Sequence, residues 1–193
     1  MHPAAALRPA SPFPRPRTLV HPGPFNPVRI RSMRCAGGRH IRLTLLPGLS
    51  LFDAIVQPLA AIGVKNASTT ILGGWFDALH YCVAPPDPSH RAVVAYTQPI
   101  HAGRAYMIFG NATLGKGMKG EALVHCHAAI RTEGGATRGG HILTQSSIVG
   151  AAPITVLVTS LDGFELRVTF DPETKISLLQ PHEETSDESR HRR

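Results

Sequence analysis

From Arg39 onward the chain is written in short runs whose apolar and polar positions alternate, the period of a strand with one face in a core. Arg39-His-Ile-Arg-Leu-Thr-Leu45 is the first such run, and Pro47-Gly48 ends it. Ser50-Leu-Phe-Asp53 changes the period. A hydroxyl N-cap with an acid three residues on opens a helix to about Ile62, with Leu51, Ile55 and Leu59 on one face. Gly63 closes that helix, and Pro58 is expected to kink or shorten it. Every later run predicts a strand: residues 67–72, 78–83, 92–96, 100–112, 122–130, 141–149, 154–160 and 164–170, with Asp162-Gly163 as a hairpin turn between the last two.

The stretch 123–158 concentrates the candidate chemistry. On an extended strand His125 and His127 project from one face and Cys126 from the other. Residues 132–140 are polar and glycine-rich, which predicts a turn and a return strand opening on His141. Pairing about Gly134 and Gly135 sets residue 128 opposite His141, and a bulge at Gly139-Gly140 would rotate His141 onto the His125/His127 face. Three imidazoles with one open position are the ligand set of an accessible zinc, and the same donors suit iron, nickel or copper. The alternative is a hydrogen-bonded cluster in the wall of the core. With eleven histidines in 193 residues the His-x-His pair alone decides little, so the weight falls on the third histidine after the double glycine. His80 and Cys82 also lie two apart on one predicted strand, where His80 is either a further ligand or a hydrogen-bonded wall residue.

Charge changes the picture only once it is located. The net charge of +7 arises mainly in residues 1–42, which hold eight arginines and no acid, whereas residues 43–181 hold nine basic and nine acidic side chains. Attraction to polyanions therefore belongs to an N-terminal arm rather than to a domain surface. That arm, residues 1–38, carries eight prolines by Pro27 and reads as a largely disordered leader, although the part from Val20 to Arg34 is less random and suited to packing on a neighbouring subunit. Residues 39–181 form the domain, and 182–193 a charged disordered tail. Pro14-Arg15-Pro16-Arg17 resembles an AT-hook in part, with Pro16 where that motif needs glycine. The arm is the expected contact with DNA.

The composition also excludes several classes. No run of 18 apolar residues crosses a membrane, and no apolar stretch near Met1 is long enough for a signal peptide, so the expectation is a cytoplasmic protein. Three cysteines without CxxC spacing argue against a disulfide framework; Cys82 and Cys126 read as core thiols. Gly115-Lys-Gly117-Met-Lys-Gly120 lacks the P-loop order and no GxSxG elbow occurs, which leaves metal-assisted chemistry as the enzymatic route.

Gly103-Arg-Ala-Tyr-Met-Ile-Phe-Gly-Asn111, then Gly139-Gly-His141-Ile, then Ile148-Val-Gly-Ala-Ala-Pro153-Ile-Thr-Val-Leu-Val together resemble, over residues 39 to 172, the plants-and-prokaryotes conserved (PPC) domain. The resemblance implies an α+β domain, a mainly antiparallel curled β-sheet with one principal helix, assembled as a homotrimer. It implies that His125, His127 and His141 match the histidine signature of bacterial members, with a divalent metal, zinc first, as cofactor. Arg104 and Asn111 fall in the Gly-Arg segment and either line the same pocket or pair across subunits. The resemblance also implies a DNA-binding or regulatory function. A similar fold in acetolactate decarboxylase, where three histidines hold zinc, supplies the alternative of a metal-dependent enzyme, decarboxylase- or hydrolase-like, on a small carbonyl or carboxylate substrate.

Overall fold

The computed structural model describes residues 19–29, 31–35 and 37–183. In chain order the elements are β1 (His40–Leu45), α1 (Leu51–Ala61), β2 (Ala67–Ile71), β3 (Gly74–Cys82), β4 (Ile100–Lys116), β5 (Ala122–Thr132), β6 (Thr137–Ile142), β7 (Ile148–Val149), β8 (Ile154–Ser160), β9 (Glu165–Asp171) and β10 (Ile176–His182). All strands join one sheet in the order β1-β8-β2-β4-β5-β6-β3-β7, with the β9–β10 hairpin attached to β4. Every pairing is antiparallel except the single parallel bridge Lys116–Arg167 between β4 and β9.

The sheet curls because β4 is long enough to serve β3, β2 and β5 along its length, besides its single bridge to β9. Along one edge it pairs with β3 from Ile100 to Met107 and then with β2 from Gly110 to Leu114, while its other edge holds β5 from Ala105 to Lys116. A register shift between Met107 and Phe109 marks the point where the neighbour changes, as a bulge bends its strand. The far end of β3 reaches β6, and β6 pairs with β5, so β3, β4, β5 and β6 close into a ring. Helix α1 buries Leu51, Ile55 and Leu59 completely, in one core with Leu45, Ile71, Phe76, Met107, Ile130, Ile142 and Ile154 of the sheet.

Ser50 caps the helix by accepting the Asp53 amide at 3.0 Å. The helix runs through Pro58 to Ala61 rather than stopping there. Proline forfeits its bond to the Ala54 carbonyl, but the last turn is secured by Val64 N–H donating to Leu59 O (2.8 Å) and Gly63 N–H to Ala60 O (2.9 Å), with Gly63 at φ +71°.

Four expectations are corrected. Residues 92–96 are a loop with one isolated bridge, Val94 to Pro86, outside the strands, because Asp87 collects the amides of Ser89, Arg91 and Ala92 and turns the chain. The strand expected over 141–149 is broken at 143–147, where the Ser147 and Thr144 carbonyls accept the amides of Leu51 and Phe52 that the helix leaves open. Asp162-Gly163 joins strands that do not pair. Buried Asn66 donates to Phe164 O (3.0 Å) and accepts the Leu166 amide (2.9 Å), steering β9 away from β8. Finally, Ile176–His182 forms the unexpected strand β10, opposite β9.

Part of the N-terminal segment docks on its own chain. Gly23 N–H donates to the Glu173 carbonyl (2.8 Å) and Asn26 N–H to its Oε2 (2.8 Å); His21 Nδ1 lies 2.6 Å from Oε1, and Arg29 reaches both Glu173 (3.3 Å) and Asp171 (3.4 Å). Pro14–Arg17 lies outside the described residues. His21, the Asn26 amide and Arg29 hold the Glu173 carboxyl below its usual range, and the Thr174 hydroxyl and amide with Arg29 do the same for Asp171. Depressed carboxylate pKa values stabilise above the unfolded values of about 3.9 and 4.3, and the contribution is lost as pH falls through the folded ones. Protection of the Gly23 and Asn26 amides in hydrogen exchange is therefore expected to persist at pH 5 and collapse below about pH 4. Glu173→Gln is expected to weaken it already at neutral pH.

Candidate metal centre

Strand β5 alternates cleanly. Val124, Cys126, Ala128 and Ile130 are buried, Cys126 with no exposed surface, and His125 and His127 stand on the opposite face. The register differs from the expected one by a residue: His127 lies directly opposite His141, and Ala128 opposite Gly140, with no bulge between them. The turn is centred on Gly134, closed by Gly135 N–H to Thr132 O and Thr132 N–H to Ala136 O, which removes one residue from each assumed pair. Direct pairing itself puts His141 on the His127 face.

The double glycine has a different task. A Cβ at Gly139 would stand 2.6 Å from the Ala128 carbonyl oxygen, and one at Gly140 2.4 Å from that of Cys82. Strand β6 thus sits between β5 and β3 at a spacing only glycine allows, and His141 is the first side chain beyond it.

The three rings converge. Centroids are 4.9 Å apart for His125/His127, 4.7 Å for His125/His141 and 5.5 Å for His127/His141, and one nitrogen from each falls within 4.8 Å of the others. Tetrahedral zinc holds its nitrogens about 3.3 Å apart, so modest ring rotation closes the set. Burial, then the neighbouring His141 and His127, push His125 down to about 4; burial, then His127, also lowers His141. Neutral imidazoles are the metal-binding form. His141 Nδ1 is buried without a hydrogen-bond partner, a deficit of about 1–3 kcal/mol that an ion would remove. The residues present therefore fit a metal.

Around the triad, Asn111 of β4 lies opposite His127 and Thr113 opposite His125. Tyr96 sets its ring edge-on to His141 at 5.7 Å, and burial, with Cys82 nearby, raises its phenol pKa and keeps it a donor. His80 stacks on His101 at 4.4 Å and its Nδ1 lies 3.1 Å from the Ser146 carbonyl oxygen, outside the triad. Arg104 is seven residues from Asn111 along β4, about 20 Å; it pairs with Glu133 (3.2 Å) and lies over the Trp75 ring at 4.5 Å. Thr113 was legible as the same-face neighbour of Asn111. Tyr96 was not, since its position depends on the loop that Asp87 folds.

No family profile and no curated protein matches the chain. Solved structures do. A metal-containing protein of Archaeoglobus fulgidus is 18% identical, with a TM-score of 0.64 over 78% of this chain and 99% of that one. A plant- and prokaryote-conserved (PPC) protein of Pyrococcus horikoshii is 18% identical, with a TM-score of 0.60 over 81% and 99%. A candidate DNA-binding protein of Ralstonia eutropha is 18% identical, with a TM-score of 0.58 over 72% and 88%. The chain has a PPC-like fold: mostly antiparallel sheet with, among the described residues, a single helix.

The close approach of β6 is open to a direct test. Gly140→Ala, which drives a Cβ into the Cys82 carbonyl, is expected to cost about 1–3 kcal/mol in urea denaturation. Gly134→Ala, with open space around the added carbon, is expected to stay within about 0.5 kcal/mol.

Proposed function

We propose that this chain is a metal-binding protein of PPC-like fold in which His125, His127 and His141 hold one divalent ion, zinc above others, in a homotrimer acting in the cytoplasm. The single observation that carries the reading is the buried, unpartnered Nδ1 of His141 inside a cluster of three imidazoles. Three nitrogen donors without a carboxylate suit zinc and neighbouring transition ions and disfavour magnesium and calcium. Self-association is supported by Leu72, Ile108, Phe109 and Leu157, all near half exposed on or beside β2, β4 and β8. No described helix is long and apolar enough to cross a membrane.

A metal-dependent enzyme on a small carbonyl or carboxylate substrate is the second reading, favoured by a cavity of about 600 Å³ onto which His125 opens. The ion, once bound, would supply a Lewis acid there. Tyr96 offers a phenol O–H to whatever occupies that cavity, and Thr113 a hydroxyl beside His125.

A regulatory or DNA-binding role draws on the N-terminal arm, in keeping with the balanced charge of residues 43–181. Arg29 is already paired with Asp171 and Glu173, so the other arginines of residues 1–38 are the ones assigned to DNA.

Elemental analysis after dialysis is expected to find one zinc per chain in particles of three chain masses by light scattering. His125→Ala, His127→Ala and His141→Ala are each expected to weaken zinc binding by tenfold or more, and Cys126→Ala, on the core face, to leave it unchanged. Full retention in His125→Ala or His141→Ala would identify a hydrogen-bonded cluster instead. DNA binding, measured across a salt series, is expected to be sequence-indifferent, to fall steeply with salt, and to vanish on deletion of residues 1–38. Unchanged binding by the truncated chain would remove the arm from the account.

A further inference from the structure

The β9–β10 hairpin leaves the sheet at the Lys116–Arg167 bridge and crosses β4 so closely that a Cβ on Gly115 would meet the Leu166 carbonyl oxygen at 2.7 Å. Beyond that crossing it faces the histidine side of β5 across a space of about 600 Å³. One wall carries His125, Thr113 and Tyr96; the other is mainly aliphatic, with Leu166 and Val168 of β9 and Leu178 and Leu179 of β10, interrupted by the polar Ser177 and Gln180.

The charges of the cavity are unusual. No Asp or Glu lines it. Its one cation, Arg29, has Nε 3.3 Å from Glu173 and Nη1 3.4 Å from Asp171, so its charge is already compensated. Three neutral imidazoles add no charge of their own to a divalent ion. With such an ion bound, the positive charge of the cavity would lie at its His125 end, with the leucines and Val168 of the hairpin facing it. A dicarboxylate that placed one carboxylate on the ion would carry its second along that wall, where no free cation awaits it.

We infer that this cavity is a binding site for an aliphatic monocarboxylate, its carboxylate at the His125 end and its chain along Leu166, Val168 and Leu179. The inference rests on the metal reading above. Tyr96 is placed to donate its O–H to a carboxylate oxygen, and the hairpin supplies the contact area that selects for chain length.

The test is calorimetric titration of the full-length protein, with and without stoichiometric zinc, using acetate, butyrate, hexanoate and octanoate, and succinate as the dianion. In the zinc-loaded protein affinity is expected to rise about threefold per methylene, somewhat below the roughly fourfold of complete burial, with succinate weaker than butyrate. Without zinc the series is expected to lose at least tenfold throughout. Val168→Asp is expected to abolish the rise while zinc stoichiometry stays unchanged; the isosteric Val168→Thr flattens it and guards against misfolding of the first variant. A protein that takes up no zinc overturns the metal reading and, with it, the anchor for the carboxylate. One that takes up zinc but binds the acids with no dependence on chain length, or prefers succinate, overturns the monocarboxylate site alone.

Discussion

The approach of β6 to both of its neighbours is the constraint on which this structure turns. Gly139 lies against the Ala128 carbonyl of β5 and Gly140 against the Cys82 carbonyl of β3. Remove that double contact and β6 pairs with one strand only, the ring of β3, β4, β5 and β6 opens, and the far end of β3 keeps only its pairing with β4. The histidines depend on the same geometry, since His141 follows Gly140 and meets His127 through the pairing that the glycines permit. Scaffold closure and assembly of the triad are thus one event rather than two. A site built across two strands of a closed ring is also held more tightly than one built on a loop.

The two faces of β5 divide the labour. Its inward residues belong to the core that α1 covers, where Cys126 has no exposed surface and burial pushes its thiol up to about 12, so it stays an unreactive packing group. Its outward residues meet no helix. They meet the β9–β10 hairpin across a gap, and polar side chains are admitted there because the gap is not packed shut. The period of two in the strand therefore separates stability from chemistry residue by residue.

Much of this was legible from alternation alone. The i, i+2 projection of His125 and His127, the helix capped by Ser50 and closed at Gly63, and most strands follow from local pattern. What escaped was set by single polar side chains acting at long range. Asn66 redirects β9, Asp87 folds the loop that carries Tyr96, and two carbonyls of the 143–147 turn are spent on the first amides of α1. None of these leaves a periodic trace. The register of the β5–β6 turn illustrates the same limit, because a five-residue and a two-residue turn share the same glycine-rich composition, and one residue decides which side chain faces His141.

Charge is partitioned along the same lines. Asp171 and Glu173 are gathered at the turn between β9 and β10, where the N-terminal segment neutralises them through Arg29, His21 and the Asn26 amide. The triad has no carboxylate in its donor set. Had either acid stood among the histidines, it would have compensated part of the charge of a bound ion. With the acids engaged elsewhere, any ion held by His125, His127 and His141 would have its charge balanced from outside the protein, which is the condition for recruiting an anionic ligand.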